Sequence, residues 1–587
     1  MSTTRSLLKF QIGPVQDFIA AARSTRDLWS GSYLLSWLVA VGIRELQKEG
    51  GKMIFPNPAG QPLLDLDKAK SGDDHTRLLI PNFPNLFIAR VEGDVDDVAS
   101  KVERAIETEW KKIANAVWLA GQYFGLTENK DRFDAQVKRH LSIAWQATPL
   151  QSDYEDAYRH NGWHLDAVRQ TRDFKAWDSG PGMNEKDSLS GREEALFTGS
   201  GKPDQSNDWH KLFNKHTDHL GAVAIIKRCW HLAYLKAKWG FETGPDKFRI
   251  RSIPAIAARQ MKHDDDEDAQ EKVTGDKYIA AIAFDGDSIG RWVNGDFHPN
   301  KEKLAQHHSD FSKALSNFAL HEVREKIVEA EVDGTNEKGR PAKVPLGQLI
   351  YAGGDDVVCL VPADAALEIA EKLRTSFCKC TEETPSEKGK PDASAGIAIA
   401  HIHAPLQDLI REAQKAEKRA KKTVDRSAFS VTLMKRSGEI SHWGSKWKSK
   451  GLELYRAIAG HLETGGLSAK FPHRVCELLT PYLTQSTGLS TQANGIEDVD
   501  MAKDLIAREF AFAAVRQGSK DLAIQIQLKK PLDDYLDGIL AARSEREGDG
   551  KPSSLTTTQE LLTSLIDLCI TLAFADRTKP AEKQEPS

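Results

Sequence analysis

Two short stretches of this sequence place aspartates directly beside apolar runs. In "QLIYAGGDDVVCLVP" (348–362), Gly353 and Gly354 follow one apolar run, and Asp355 and Asp356 precede the next. Because glycine takes positive φ at little cost, the stretch predicts a hairpin whose turn lies at the glycines. Strand pairing would fix the backbone at this tip and leave both carboxylates free.

A second pair, Asp285 and Asp287, ends the apolar run "KYIAAIAFDGD" (277–287). A strand end and a neighbouring hairpin tip can lie side by side, which would gather three or four carboxylates. Like charges repel, and a divalent cation relieves this, since Mg²⁺ is held by one or two carboxylates plus substrate phosphates. A turn or a helix cap would explain either motif alone, but the combination favours two-metal phosphoryl transfer with Mg²⁺ or Mn²⁺.

Two neighbours of these aspartates are candidate contacts for a nucleotide. Gly286 permits close approach of another backbone. The amides from Ser288 to Gly290, if they open a helix, could meet phosphate.

Composition limits the class of protein. At 587 residues the chain is too long for one core, so we expect two to four domains. The net charge of −5 is unusual for a stand-alone nucleic-acid binder, so other subunits would supply most phosphate contacts. Six scattered cysteines fit a reducing cytoplasm, and the short apolar runs predict no membrane span and no signal peptide.

Hydrophobic periodicity predicts an α+β fold of the ferredoxin-like type in the first half. Its elements are a strand, a helix, two strands and a helix, at 6–16, 17–47, 53–55, 85–93 and 96–118. A helix at 131–146, mostly loop up to 215, a helix at 221–238 and an acidic linker at 263–268 should follow.

The same order recurs in the second half. A strand, a helix, the hairpin, a helix, a strand and a basic helix are predicted at 277–287, 300–329, 348–362, 363–379, 393–402 and from 405. Helices and a charged, disordered tail should follow residue 450. The expected domains are 1–150, 151–272 (helical and loop insert with the linker), 273–448 and 449–587 (helical).

These motifs resemble a known family. "FDGDSIGRW" and "YAGGDD" are similar to the second palm domain of the large subunit of type III CRISPR effector complexes. "FQIGPVQDFIAAARSTRDLWSGSYLLSWL" resembles the first palm of the type III-B form. "PNLFIARVEG", "SAGIAIAHIHAPL", "AEKRAKK" and "LMKRSGE" extend the likeness, which covers about 6–120 and 275–440.

The resemblance implies two ferredoxin-like palms with ATP between them and, once target RNA is captured, synthesis of 3′–5′ linked, including cyclic, oligoadenylates. It implies that Asp285 and Asp356 are the leading metal ligands and that Asp355 supports the metals or the attacking hydroxyl. Asp287 completes the expected ligand set. Gly353 and Gly354 would let the triphosphate approach, and Lys421, or Lys422 by spacing, would touch phosphate.

Two departures from the family matter. Many relatives carry an N-terminal HD nuclease domain, but this palm begins at residue 6 and the only His-Asp pair is His263-Asp264, so we expect no DNase activity. Many also carry a Cys-rich zinc site, and this chain has no C-x-x-C. Four side chains could still make a tetrahedral site, although surface histidines are the simpler interpretation and zinc is not expected: His216, His219, Cys229 and His231.

Several functions stay open on the sequence. The leading one is a signalling nucleotidyltransferase in a complex with other type III-B subunits, CRISPR RNA and target RNA. AMP transfer to a different small acceptor would use the same carboxylates. A non-catalytic scaffold would not need them, and a GTP-dependent cyclic dinucleotide synthase would be expected to dimerise.

Overall fold

The computed structural model describes most of the chain. The described residues are 5–66, 77–150, 154–171, 185–198, 209, 212–213, 218–236, 250–261, 278–298, 300, 303–483, 496–518, 522–547 and 554–578. The predicted acidic linker at 263–268, His216, and the last nine residues of the predicted tail lie outside them.

The first domain is a four-stranded antiparallel sheet in the order β2-β3-β1-β4, which is the ferredoxin-like arrangement. Its elements are β1 (Arg5–Gly13), α1 (Gln16–Ala20), α2 (Thr25–Lys48), β2 (Lys52–Phe55), β3 (Leu86–Glu92), α3 (Val95–Ala120), α4 (Lys130–His140) and β4 (Ser142–Pro149). Helices α2 and α3 each begin with a side-chain N-cap: the Ser24 hydroxyl accepts from the Asp27 amide, and the Asp94 carboxylate accepts from the Asp97 amide. Helices α2 and α3 pack against each other.

Two expectations for the region after residue 130 were wrong. The predicted helix 131–146 ends at His140, and Ser142–Pro149 pairs with β1 as the fourth strand. Ile143, Trp145 and Ala147 alternate with the period of two that is typical of a strand, and this strand fills the open edge of β1. Part of the predicted loop is a helix, α5 (Tyr154–Gln170), which packs on β4.

The insert between the two sheets supplies one helix that matters below. Short strands β5 (Phe197–Thr198) and β6 (His219–Leu220) precede α6 (Ala222–Trp230), which continues as a π-helix to Leu235. Helix α6 packs on α2 and α3, and the short α7 (Ile253–Ala257) follows.

The second domain repeats the ferredoxin-like core and extends it. Its sheet has the order β10-β11-β7-β12-β13-β14. The elements are β7 (Tyr278–Gly286), α8 (Ile289–Val293), α9 (Leu304–Asn317), β8 (Glu331–Thr335), β9 (Pro341–Pro345), β10 (Gln348–Ala352), β11 (Val357–Pro362), α10 (Ala366–Cys380), β12 (Ala393–His401), α11 (Leu406–Lys422), β13 (Ala428–Met434) and β14 (Ile440–Lys446). Helix α9 continues as a π-helix to Val328. The β8–β9 hairpin and the β13–β14 extension were not predicted.

Alternate residues of β7 face two cores. Ala280, Ile282 and Phe284 pack with the helices α9 and α10. Ile279, Ala281 and Ala283 lie in the core shared with the first domain. The central strand is therefore buried on both faces, which explains its continuous apolar run.

The predicted helices after residue 450 are present: α12 (Gly451–Glu463), α13 (Phe471–Leu479), α14 (Val499–Gln517), α15 (Leu522–Glu547) and α16 (Ser554–Thr578). Among the described residues one helical segment, Thr556–Ala575, is long and apolar enough to cross a membrane. Leu561, Leu565 and Leu568 of this segment are fully buried in the helical core.

Candidate active site

The sheet register brings the two aspartate motifs together. Strand β11 pairs with β7 so that Val357 lies opposite Phe284, and the residues just beyond this pair are Asp356 and Asp285. The amide of Gly286 donates to the carbonyl of Asp355 at 3.2 Å. The predicted juxtaposition of strand end and hairpin tip is thus present, while the ligand roles of these carboxylates stay predictions.

Packing requires glycine at two positions of this junction. A Cβ on Gly286 would lie 2.5 Å from the Ile289 side chain and 3.1 Å from the Cβ of Asp355. A Cβ on Gly353 would lie 1.7 Å from the Tyr351 hydroxyl, which folds back over the turn. Gly354 has a φ of +100°, the left-handed region that favours glycine. Packing and backbone conformation alone explain why these residues are glycines. Their contact with triphosphate therefore remains a prediction.

The Lys421 ammonium is bound to this carboxylate cluster. It donates to Asp285 and to the Gly286 carbonyl (3.3 Å), and pairs with Glu417 at 3.0 Å. Burial alone would lower the pKa of Lys421, but the two carboxylates outweigh it and raise the pKa. Residue 396 of β12 is a glycine, and a Cβ there would lie 2.0 Å from the Glu417 amide. Because no side chain intervenes, helix α11 packs closely enough on β12 to bring Glu417 and Lys421 to the cluster.

The carboxylates of Asp355 and Asp356 are held in an environment that favours the proton. Burial, the charge of Asp285 and a hydrogen bond to that residue raise the pKa of Asp355 to about 7. Burial and the charges of Asp285, Asp355 and Glu417 raise the pKa of Asp356 well above its ordinary value, even though part of its surface is open to the cavity described below. Such a cluster gains from a cation that replaces the protons.

Asp287 makes different contacts from the other three aspartates. One of its oxygens accepts from the Ser394 hydroxyl at 2.8 Å, and the other accepts from the Ser427 amide at 2.7 Å. Its amide donates to the carbonyl of Asp392, whose carboxylate is bidentate with Arg374 at 2.7 and 2.8 Å. Asp287 is therefore bonded into the loop beneath the cluster.

The donor set fits a cation that also binds phosphate. No group of three or more His, Cys, Asp or Glu among the described residues is arranged to hold a metal by itself. Mg²⁺ and Mn²⁺ prefer oxygen, and Mg²⁺ commonly takes one or two carboxylates with water and phosphate. Asp285, Asp355 and Asp356 can supply those carboxylates.

A cavity of about 1100 Å³ opens beside the carboxylates, between the two sheets. On one side it is lined by Asp285, Asp356 and Glu417, and on the other by the segment after β1, including Gln16 and Ile19. The volume is at the upper end for small-molecule pockets, so it can take a ligand as large as a nucleotide.

The remaining predicted residues lie apart from the cavity or at its edge. Ser288 precedes the short helix α8 with a φ of +57°, and its side chain caps nothing. Cys229 and His231 are buried in and after α6, while the His219 ring pairs with Glu185 at 2.7 Å. His216 and His263-Asp264 lie outside the described residues, so a zinc site using all four candidates is not tested.

The sequence reasoning missed several groups of this site. Glu417 was missed although it lies four residues before Lys421, a spacing that pairs opposite charges on a helix. Asp392 and Arg374 come together only through the packing of α10 against β12. No local pattern indicated them.

Comparisons with known proteins match both domains. The family model of the Cas10/Cmr2 second palm domain matches residues 278–430, and that of the N-terminal region of CRISPR-associated protein Cmr2 matches residues 7–115. The CRISPR system Cmr subunit Cmr2 of Pyrococcus furiosus is 24% identical over 565 residues, which cover 74% of this chain and 62% of that protein. The chain thus spans less than two thirds of this relative's length.

Two solved structures share the fold. They are cryo-EM structures of type III-B Cmr-beta, in the apo state and bound to cognate target RNA, each with a TM-score of 0.58 and 12% identity. The match covers 91% of this chain and 82% and 83% of those chains. At this identity the likeness establishes the fold.

Proposed function

We propose that this chain, which matches the family models of the Cas10/Cmr2 second palm domain and of the Cmr2 N-terminal region, is the nucleotidyltransferase subunit of a type III-B CRISPR complex. It joins AMP units from ATP through 3′–5′ links, in linear or cyclic oligoadenylates, and releases pyrophosphate. Its partners are the other subunits of the complex, CRISPR RNA and target RNA in the cytoplasm. Target RNA switches the reaction on.

One observation carries this proposal: Asp285 and Asp356 line a cavity large enough for a nucleotide, beside Asp355, whose pKa is raised by burial and by Asp285. A scaffold gains nothing from such a cluster, because unneutralised carboxylates destabilise the fold. Divalent cations bound by Asp285, Asp355 and Asp356 would stabilise charge on the attacking and leaving oxygens.

The chain's own residues position the substrates. Lys421 neutralises Asp285 in the nucleotide-free protein, and its ammonium can turn to phosphate while Glu417 keeps it at the site. Asp287 holds the loop after β7 in place through Ser394 and Ser427. Positioning of this kind supplies most of the catalysis in phosphoryl transfer.

The test uses the assembled complex with guide RNA, ATP, Mg²⁺ and a metabolite extract, with and without target RNA. Mass spectrometry should find chains of linked AMP units that require target RNA and vanish in Asp355→Asn/Asp356→Asn. The matched control, Asp333→Asn, changes an exposed aspartate of the β8–β9 hairpin and should leave the product unchanged.

Each other result revises the proposal in a defined way. A single AMP joined to another metabolite would keep the chemistry and replace the acceptor. A guanine-containing cyclic dinucleotide would replace the substrate. No product from an intact, assembled complex would favour a scaffold.

A further inference from the structure

The first-domain wall of the cavity is a short piece of chain. Gln16, Ile19 and Ala20 line the cavity, and all three belong to the five-residue helix α1. So short a helix leaves its last carbonyls without partners from a following turn. Something outside α1 must satisfy them if they are buried.

Lys227 of α6 satisfies them. Its ammonium donates to the carbonyls of Phe18 (2.6 Å), Ile19 (3.3 Å) and Ala21 (2.6 Å). The side chain is almost fully buried, and Nζ lies 5.0 Å from the centre of the Phe18 ring. An ammonium has three donors, and here three carbonyls accept them at the end of a helix, where positive charge is favourable.

Helix α2 leaves room for this lysine. A Cβ on Gly31 would lie 2.9 Å from Cδ of Lys227 and 3.6 Å from its Nζ. The Ser30 hydroxyl donates to the Lys227 carbonyl, so both ends of the residue are held. Burial lowers the pKa of Lys227 to about 8, with the Asp27 carboxylate opposing the change, so the ammonium persists at neutral pH.

The next residue of α6 holds the chain that follows α1. Arg228 pairs with both oxygens of Asp27, at 3.0 and 2.7 Å, and with Asp218. One Asp27 oxygen also accepts from the Arg23 amide at 3.2 Å. Lys227 and Arg228, which are consecutive on α6, therefore hold the backbone between residues 18 and 23.

We propose that Lys227 is a positioning residue for the nucleotide. It lies on α6, which belongs to neither sheet, and it holds in place residues 16–22, which form the first-domain wall of the cavity. It does not line the cavity itself. It acts by keeping Gln16, Ile19 and Ala20 in place, so that the cavity binds without first ordering its wall. The inference rests on the proposed function in taking ATP as the ligand.

Lys227→Met tests this, because methionine keeps most of the side-chain length and removes the donors. In the nucleotide-free protein we expect faster hydrogen exchange at the amides of residues 16–22. In the assembled complex with target RNA we expect the KM for ATP to rise on the order of tenfold, with kcat within about twofold, because ground-state and transition-state binding weaken equally.

Gly31→Ala is the second variant, and it keeps the lysine. Alanine is the better helix former, so a loss of ATP affinity would report the clash with Lys227. We expect a smaller rise in KM than in Lys227→Met. The double variant should be no worse than Lys227→Met alone, since both changes act on one contact.

Gln136→Leu is the matched control for loss of buried hydrogen bonds at α6. The Gln136 amide group accepts from the Ala222 amide at 2.7 Å and donates to the Glu194 carbonyl at 3.0 Å, and none of these residues lines the cavity. It should lower Tm and leave KM unchanged.

Two results would overturn the inference. One is wild-type exchange at residues 16–22 in Lys227→Met. The other is a KM for ATP that rises as much in Gln136→Leu as in Lys227→Met when the two variants lose the same Tm. That result would mean that Lys227 contributes only to stability. If the wild-type complex does not use ATP, the proposed function fails, and the exchange comparison still decides whether Lys227 holds the wall.

Discussion

Cation binding to the carboxylate cluster should depend steeply on pH between 6 and 8. The pKa of Asp355 is raised to about 7 by burial, by Asp285 and by a hydrogen bond between the two. A cation binds the ionised carboxylate, so a proton leaves as the metal enters. Affinity must therefore rise with pH.

The size of the effect follows from that pKa. With a pKa of about 7, Asp355 is ionised in roughly a tenth of the molecules at pH 6 and roughly nine-tenths at pH 8. The apparent Kd for the cation should therefore be about tenfold weaker at pH 6 than at pH 8. Because Asp356 also has a raised pKa and interacts with Asp355, the pair titrates together and the change can be larger.

The assay is a Mn²⁺ titration of the nucleotide-free protein at pH 6, 7 and 8, read by the EPR signal of the free ion. Asp355→Asn removes the group that titrates near 7, so its affinity should be weaker and less dependent on pH. Asp333→Asn, an exposed aspartate away from the cluster, should match the wild type. An affinity that is equal at pH 6 and pH 8 would refute the reasoning.

Thermal unfolding gives an independent check. In the metal-free protein the pKa of Asp355 is about 7 in the folded state, against an ordinary value of 3.8 in the unfolded state. Between these two pH values the folded state binds more protons than the unfolded state, so the free energy of unfolding falls as pH rises. Mg²⁺ should therefore raise Tm more at pH 8 than at pH 6. The opposite order would contradict a raised pKa.

Three further substitutions separate neighbouring roles. Glu417→Gln removes one of two carboxylates on Lys421, so the KM for ATP should rise severalfold in steady-state assays, whereas Glu412→Gln on the same helix should change nothing. Asp287→Asn should cost about 1–2 kcal/mol of unfolding free energy and leave Mn²⁺ affinity within about twofold; a loss of affinity would make it a metal ligand. Gly286→Ala should cost about 1–3 kcal/mol in denaturant unfolding because its methyl group overpacks the turn, and an unchanged midpoint would contradict that contact.

Much of the fold was predictable because local patterns and tertiary pairing agree in the second domain. The apolar run in 277–287 and the glycines of the 348–362 stretch indicated β7 and the β10–β11 turn, and both are present. The helix prediction failed at Ser142–Pro149, which pairs with β1 as a strand. The family resemblance also rested on the first-domain stretch that begins at Phe10, and family models match residues 7–115 and 278–430.

The sequence by itself determined which groups could do chemistry: the paired aspartates, the glycines between apolar runs, and a basic helix carrying Lys421. These follow from residue types and short spacings, which act within a few residues. Only the tertiary structure decided which carboxylates have a raised pKa, that Asp287 is bonded inward, and that Lys227 reaches the wall of the cavity. The hydrogen bonds of Asp287 and Lys227 join residues 107 to 209 positions apart, and burial, which sets their strength, exists only once the sheets and helices have packed.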